Sequence, residues 1–375
     1  MALVAVAACD GEPSNPQPVA SVGGTAGMAP IDPVGGGGAG GGADAADESG
    51  GSSGCVSGQY GCQGPNVVQC EPGAAATWEV IETCDPAADE VCDPTVGTCV
   101  PSIPIGGTEP SGTYYKFAEF TTDDSVFAGG ADVDSWDDKL YVTTGAAIDV
   151  YAVTLLDSDG DGELEPNQHP SNPEHMGAIE ARALTFVESV PWPTQIPVSV
   201  AEIYATGEGI WLGGTAITAL LAENNGETSV IADRPAWLGN LSHLGYDDVN
   251  GVWYASEEAR RRVVQYDDAG SQWGIAFSFP TLAGDHMDGL EVVTQPGTDI
   301  PFVYVSDMTS DFIGQYRFDA DQGWVQENLF EYADPNGLLV EGMGFGAFQH
   351  FWITSVDAVY EVGGGDLADF TQTAP

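Results

Sequence analysis

A short strand with an aromatic residue at its centre recurs five times within residues 113–375. The copies are Leu140-Tyr141-Val142, Ile210-Trp211-Leu212, Val252-Trp253-Tyr254, Val303-Tyr304-Val305 and Phe351-Trp352-Ile353. They stand 70, 42, 51 and 48 residues apart, close to the roughly 40–50 residues of a propeller blade once an insertion is allowed in the first interval. Each copy follows a short apolar strand and precedes a turn and another alternating strand, as at 148–153, 263–266 and 313–318. Four-stranded units repeated radially leave only short, protected edges. The pattern therefore predicts an all-β chain whose 113–375 region is a β-propeller of five blades, or six if 155–200 holds a degenerate one. The last unit lacks an outer strand near residue 370, and Tyr114-Tyr115-Lys116-Phe117-Ala118-Glu119-Phe120 is expected to supply it and close the ring. A β-sandwich with long loops is the alternative, because short alternating strands are common to both.

The residues before 113 cannot belong to that repeat. Residues 10–54 hold PSNPQP, a glycine run at 35–42 and GGSSG, with almost nothing large and apolar to bury. They cannot offset their ordering entropy, so they read as a disordered tether with a reach of about 35–40 Å. Six of the seven cysteines follow within 45 residues: Cys55, Cys62, Cys70, Cys84, Cys92 and Cys99. Gaps of six to thirteen residues do not supply the close pairs of a zinc site. An even set in so short a segment predicts three disulfides, an oxidising compartment and a small module over 55–100 that folds independently of the propeller. The alternation at Val67-Val68-Gln69-Cys70 and Trp78-Glu79-Val80-Ile81-Glu82 predicts a hairpin inside it, and 101–112 reads as a linker.

Residues 1–9 are an apolar run ending Val6-Ala7-Ala8-Cys9, which resembles the lipobox of bacterial lipoproteins. The resemblance implies cleavage before Cys9 and a lipid on its sulfur, placing the protein at the cell envelope or outside the cell on an outer-membrane anchor. The membrane is then touched only through that lipid. No stretch approaches the roughly 18–20 apolar residues of a spanning helix. With 57 acidic against 8 basic side chains and a net charge of −49, nucleic-acid binding is excluded, since a phosphate-binding surface needs clustered cations.

Two acidic constellations could carry chemistry. Asp157, Asp159 and Asp161 occupy alternate positions before Gly162, the spacing that wraps several oxygens around one calcium ion. The segment resembles EF-hand and dockerin calcium loops, which implies three side-chain ligands and a backbone carbonyl from Glu163. Pro166 follows where a helix would begin, so this is a loop alone. A solvated acidic turn is the other reading. The second constellation is Asp288-Gly289-Leu290 and Glu341-Gly342-Met343, at the starts of the inner strands of the fourth and fifth units. Together with 303–307 and 315–319, the fourth unit resembles a blade of the gluconolactonase and regucalcin family of calcium-dependent propellers. That resemblance implies that Asp288 and Glu341 ligate a divalent ion, calcium, in the central channel. The third unit holds Ser242-His243 at the equivalent place, while the first two units offer Gly and Val. Inner strands converge on one axis, so His243 or His286 could join the same cation or act as a base beside it. The bland reading is that carboxylates before glycine shape turns.

Arg260-Arg261-Arg262 gathers three of the eight cations next to Glu257 and Glu258, and local neutralisation outweighs contact with an anionic ligand. No nucleophile elbow, phosphate loop or dinucleotide fingerprint occurs in the sequence. The expected function is an exported, lipid-anchored, calcium-binding propeller acting as a surface binding module for a protein, glycan or small molecule. A metal-dependent lactonase or esterase is the first alternative, and a structural envelope protein the second.

Overall fold

The structure, a computed structural model, describes residues 55–71, 77–120, 132–143, 148–156, 181–186, 203–206, 209–221, 228–267, 269–282, 287–307, 310–334, 337–355 and 358–373. The tether expected at 10–54, Cys9, the acidic loop from Asp157 to Glu163 and His286 lie outside these residues.

The cysteine-rich segment forms all three disulfides, Cys55–Cys70, Cys62–Cys92 and Cys84–Cys99. The first ties Cys55 to the sheet of β1 (Tyr60–Gln63), β2 (Asn66–Glu71) and β3 (Thr77–Thr83), and the other two staple that sheet to a two-stranded ribbon of β4 (Glu90–Asp93) and β5 (Thr98–Pro101). The expected hairpin is β2 against β3, with Cys70 opposite Trp78. Asp85 accepts the Ala87 N–H and Asp93 the Thr95 N–H, so short carboxylate caps shape the turns around the ribbon.

After β6 (Gly112–Phe120) come five antiparallel sheets. The first blade is β7 (Val133–Trp136), β8 (Lys139–Thr143), β9 (Ile148–Leu156) and β10 (Ala181–Phe186). The second is β11 (Ile203–Ala205), β12 (Gly209–Leu212), β13 (Ala216–Leu221) and β14 (Thr228–Asp233). The third is β15 (Leu244–Asp247), β16 (Val252–Glu257), β17 (Arg262–Asp267) and β18 (Gln272–Ser278). The fourth is β19 (Met287–Thr294), β20 (Pro301–Asp307), β21 (Ile313–Asp319) and β22 (Gly323–Tyr332). The fifth begins with β23 (Met343–Phe345), β24 (Phe351–Ser355) and β25 (Ala358–Gly363). Inner strands β7, β11, β15, β19 and β23 each touch the next, and β23 touches β7. The ring thus closes at five blades. The stretch 155–200 supplies β10, the outer strand of the first blade, and leaves no place on the axis for a sixth.

All five aromatic-centred segments are second strands of their blades. Such a strand has a blade on either side, so both of its faces are buried and its sequence reads as a continuous apolar run. Five apolar cores fill the five gaps. Tyr141 points into the gap toward the second blade, while Leu140 and Val142 face the fifth. Tyr304 faces the fifth blade, and Val303 and Val305 face the third.

β6 closes the ring as expected. It pairs antiparallel with β25, Val359 opposite Phe120, and becomes the fourth strand of the fifth blade. Its first residues also run parallel to the end of β22, Phe330 opposite Gly112. The stretch ahead of it is more than a linker. Pro104 bridges to Ser278 on β18, Gly107 N–H donates to Gln326 Oε1 (2.6 Å), and Ser111 N–H donates to Leu329 O (2.8 Å). The module itself is docked on the third blade. Arg262, almost fully buried, is held by Glu257 of its own blade and by Asp89 of the module, and Asn66 bonds Gln272 at 3.0 Å. The arginine run thus neutralises Glu257, as expected, and also fastens the module to the propeller.

Candidate functional site at the channel mouth

Strand register defines the layers of the channel. Asp132, His243 and Gly342 each precede the first inner-strand residue that pairs with the second strand, Gly289 stands in the bulge just before Leu290 pairs with Val305, and these four lie across from hydroxyls: Thr143, Ser256, Thr354 and Ser306. Thr143 Oγ1 accepts the Asp132 N–H at 2.7 Å, and Thr354 Oγ1 accepts the Gly342 N–H at 2.9 Å. Ser306 Oγ donates to the carbonyl of Glu341, 3.3 Å, tying the fourth blade to the fifth. The sequence alignment of Ser242-His243 with Asp288-Gly289 and Glu341-Gly342 holds. In the first blade, however, this layer carries Asp132, where the sequence suggests glycine or valine.

His243 sits at the centre of the mouth with φ +44°, a left-handed conformation that costs a side chain of this size about 1–3 kcal/mol. Buried in that geometry, its Nε2 lies 2.7 Å from Asp288 Oδ1 and its Nδ1 3.1 Å from Asp132 Oδ1. Asp132 is fixed from both sides, since Oδ1 accepts the Val133 N–H (2.9 Å) and Oδ2 accepts the Ile203 N–H of the second blade (3.0 Å). His243 is thus buried between two carboxylates, hydrogen-bonded to Asp288 through Nε2 and within ion-pair distance of Asp132 through Nδ1. The glycines after Asp288 and Glu341 have a packing reason. A Cβ on Gly289 would collide with the carbonyl of Glu341, and one on Gly342 with the carboxylate of Asp132. Glu341 itself is half-buried beside this group.

One turn deeper lies a second acidic layer that sequence reasoning missed. Asp134 on β7 accepts the Ser135 N–H (2.6 Å) and the Ala205 N–H of the second blade. Glu291 on β19 accepts the Val292 N–H (2.6 Å) and the Phe345 N–H of the fifth blade (3.3 Å). The two carboxyls are also hydrogen-bonded to each other. Burial above all pushes both above the ordinary carboxylate range, with the charge of Asp132 adding to the rise at Asp134 and that of Asp134 to the rise at Glu291, so the pair retains a proton. Tyr204, beside them on β11, is pushed up by the same burial. The signal that was available is the alternation Asp132-Val133-Asp134, in which both acids share a strand face.

The mouth can be tested for the cation implied by the sequence resemblance. A calcium ion takes six to eight oxygens. Here Asp288 and Asp132 face the His243 ring, both Asp132 oxygens also accept backbone N–H groups, and the described residues include no group of three or more side chains arranged to hold a metal. These residues do not fit a calcium cage. His350, the other described histidine, is buried with Nδ1 2.7 Å from Glu361 and its ring stacked on Phe117, a packing role in the fifth blade.

No family model matches the sequence, and no curated protein matches it. Solved structures do. A luciferin-regenerating enzyme is 14% identical over 68% of this chain and 96% of its own, with a TM-score of 0.40. Virginiamycin B lyase from Staphylococcus aureus is 11% identical over 67% and 99%, TM-score 0.36. A calcium-binding regucalcin from Agrobacterium tumefaciens is 10% identical over 75% and 88%, TM-score 0.34. The structural neighbours are regucalcin-like and streptogramin B lyase propellers. The fold assignment here rests on the ring of five sheets. Among the described residues no helix is long and apolar enough to cross a membrane.

Proposed function

We propose that this protein is an exported, calcium-binding propeller, anchored at the bacterial cell envelope through a lipid on Cys9, that acts as a binding module for a protein, glycan or small molecule. The observation that carries the reading is the set of three disulfides in a segment with too little apolar area to fold unaided, which requires an oxidising compartment. The lipid is tested by detergent partitioning of the native gene product against its Cys9→Ser variant. Equal recovery of both in the aqueous phase would overturn the anchor. Calcium is assigned to Asp157, Asp159, Asp161 and Glu163, and the channel residues are left out of that assignment. An ion at a hundredfold excess over Kd stabilises the native state by about 2.7 kcal/mol. Asp159→Ala is expected to abolish most of the calcium-dependent rise in melting temperature, and a variant responding like the parent would reduce the loop to an acidic turn.

Binding is preferred over lactone or ester hydrolysis because His243, the described histidine at the mouth, is buried and already engaged by Asp288 and Asp132. The folded protein should leave aliphatic, sugar and acyl-homoserine lactones intact. Turnover that disappears in Asp288→Ala would move the assignment to the hydrolase.

A further inference from the structure

The disulfide module presents an uncovered sheet edge. β3 reads Thr77-Trp78-Glu79-Val80-Ile81-Glu82-Thr83, all seven residues are exposed, and β2 is its one strand partner among the described residues. Trp78, Val80 and Ile81 are 37%, 51% and 45% exposed. Edges of this kind are normally blunted by lysine, proline or a covering segment. Three blades have theirs covered: Pro104 bridges to β18, and β6 pairs with both β22 and β25. Among the described residues only the end of β3 is occupied on this side, where Glu82 accepts from Thr98 Oγ1 (2.8 Å) and the Cys99 N–H (3.0 Å). Among the described residues the stretch from Thr77 to Val80 has no partner on this side, a backbone edge about 13 Å long with Trp78 and Val80 on one face, and a β-bulge at Ile81 ends it.

Charge selects the occupant. Between Cys55 and Pro101 there are seven acidic side chains and no lysine or arginine, and the whole chain carries −49. A second copy would bring the same charges to the same edge and be repelled. We propose that β3 receives an extended segment of a different protein, with basic and β-branched residues alternating, which adds to the sheet as a fourth strand. Main-chain hydrogen bonds would hold such a strand, and its apolar side chains would lie on Trp78 and Val80. The proposal deepens the binding-module reading, yet it uses neither Cys9 nor the 157–163 loop, so the lipid and calcium tests can fail without it and it can fail without them.

The test uses the full chain with its disulfides intact and a fluorescent ten-residue peptide of alternating lysine and valine. The peptide is expected to bind and to slow amide exchange in 77–80 by about tenfold or more, while the same peptide with a central proline binds about tenfold more weakly. Val80→Lys, at an exposed position, should weaken binding by about tenfold, and Glu79→Gln should reduce the salt dependence of binding without changing the melting temperature. Absence of binding, equal binding of the proline peptide, or slowed exchange confined to other segments would overturn the proposal. Sedimentation showing a dimer that Val80→Lys dissociates would assign the edge to a second copy and overturn the stated occupant.

Discussion

Burying an ionised carboxyl costs more than burying a neutral one, so Asp134 and Glu291 tie the stability of this propeller to pH. In the unfolded chain both ionise near the ordinary value of about 4. In the native channel the pair keeps one proton well above that, so from about pH 4 upward the unfolded state binds fewer protons and stability falls as pH rises. The loss amounts to about 1.4 kcal/mol per unit by which the native value is raised. In Glu291→Gln the new amide can still donate to Asp134 and its carbonyl can still accept the Val292 N–H. That variant should lose much less stability than the parent between pH 5 and pH 8, read as the difference in denaturant midpoint; an unchanged difference would refute the shared proton. None of this pairing was legible in the sequence. Asp134 and Glu291 belong to the first and fourth blades, which meet only across the axis, and Asp132 lacks the following glycine that marked Asp288 and Glu341.

At the scale of single elements the sequence was far more readable. The second strands announced themselves because a strand buried on both faces has no polar face, and the central aromatic was followed two residues later by Thr143, Ser306 or Thr354 in three of the five blades and three residues later by Ser256 in a fourth. β6 was legible for the opposite reason, as the outer strand missing from the last unit. Its energetic weight falls on Tyr114, which is fully buried against Tyr332 and donates its hydroxyl to Asp311 O at 2.6 Å. Tyr114→Ala should cost about 3–5 kcal/mol. Because β6 pairs with both the fourth and fifth blades, the denaturant midpoint of the whole propeller should move. A loss confined to the disulfide module would contradict this arrangement.

Across the whole molecule, the expected independence of module and propeller gives way to a shared buried charge. Arg262→Ala would strand Glu257, whose side chain is 1% exposed, and should cost about 3–5 kcal/mol. Asp89, 60% exposed, can turn to water, so Asp89→Ala should cost about 1 kcal/mol or less. Equal costs would show that the module, and not the blade, carries the arginine. Reduction of the disulfides should accordingly lower the melting temperature of the propeller as well as unfold the module. This docking was hidden in the sequence because Asp89 and Arg262 are distant along the chain, and an acid among so many acids carries no mark. The double pairing of β6 also governs the order of events during synthesis. This strand emerges from the ribosome early, but its antiparallel partner β25 is made more than two hundred residues later. Until then β6 is an outer strand without the rest of its blade, so a partly synthesised chain carries an open ring, and the native seal forms only when nearly all of the polypeptide has been made.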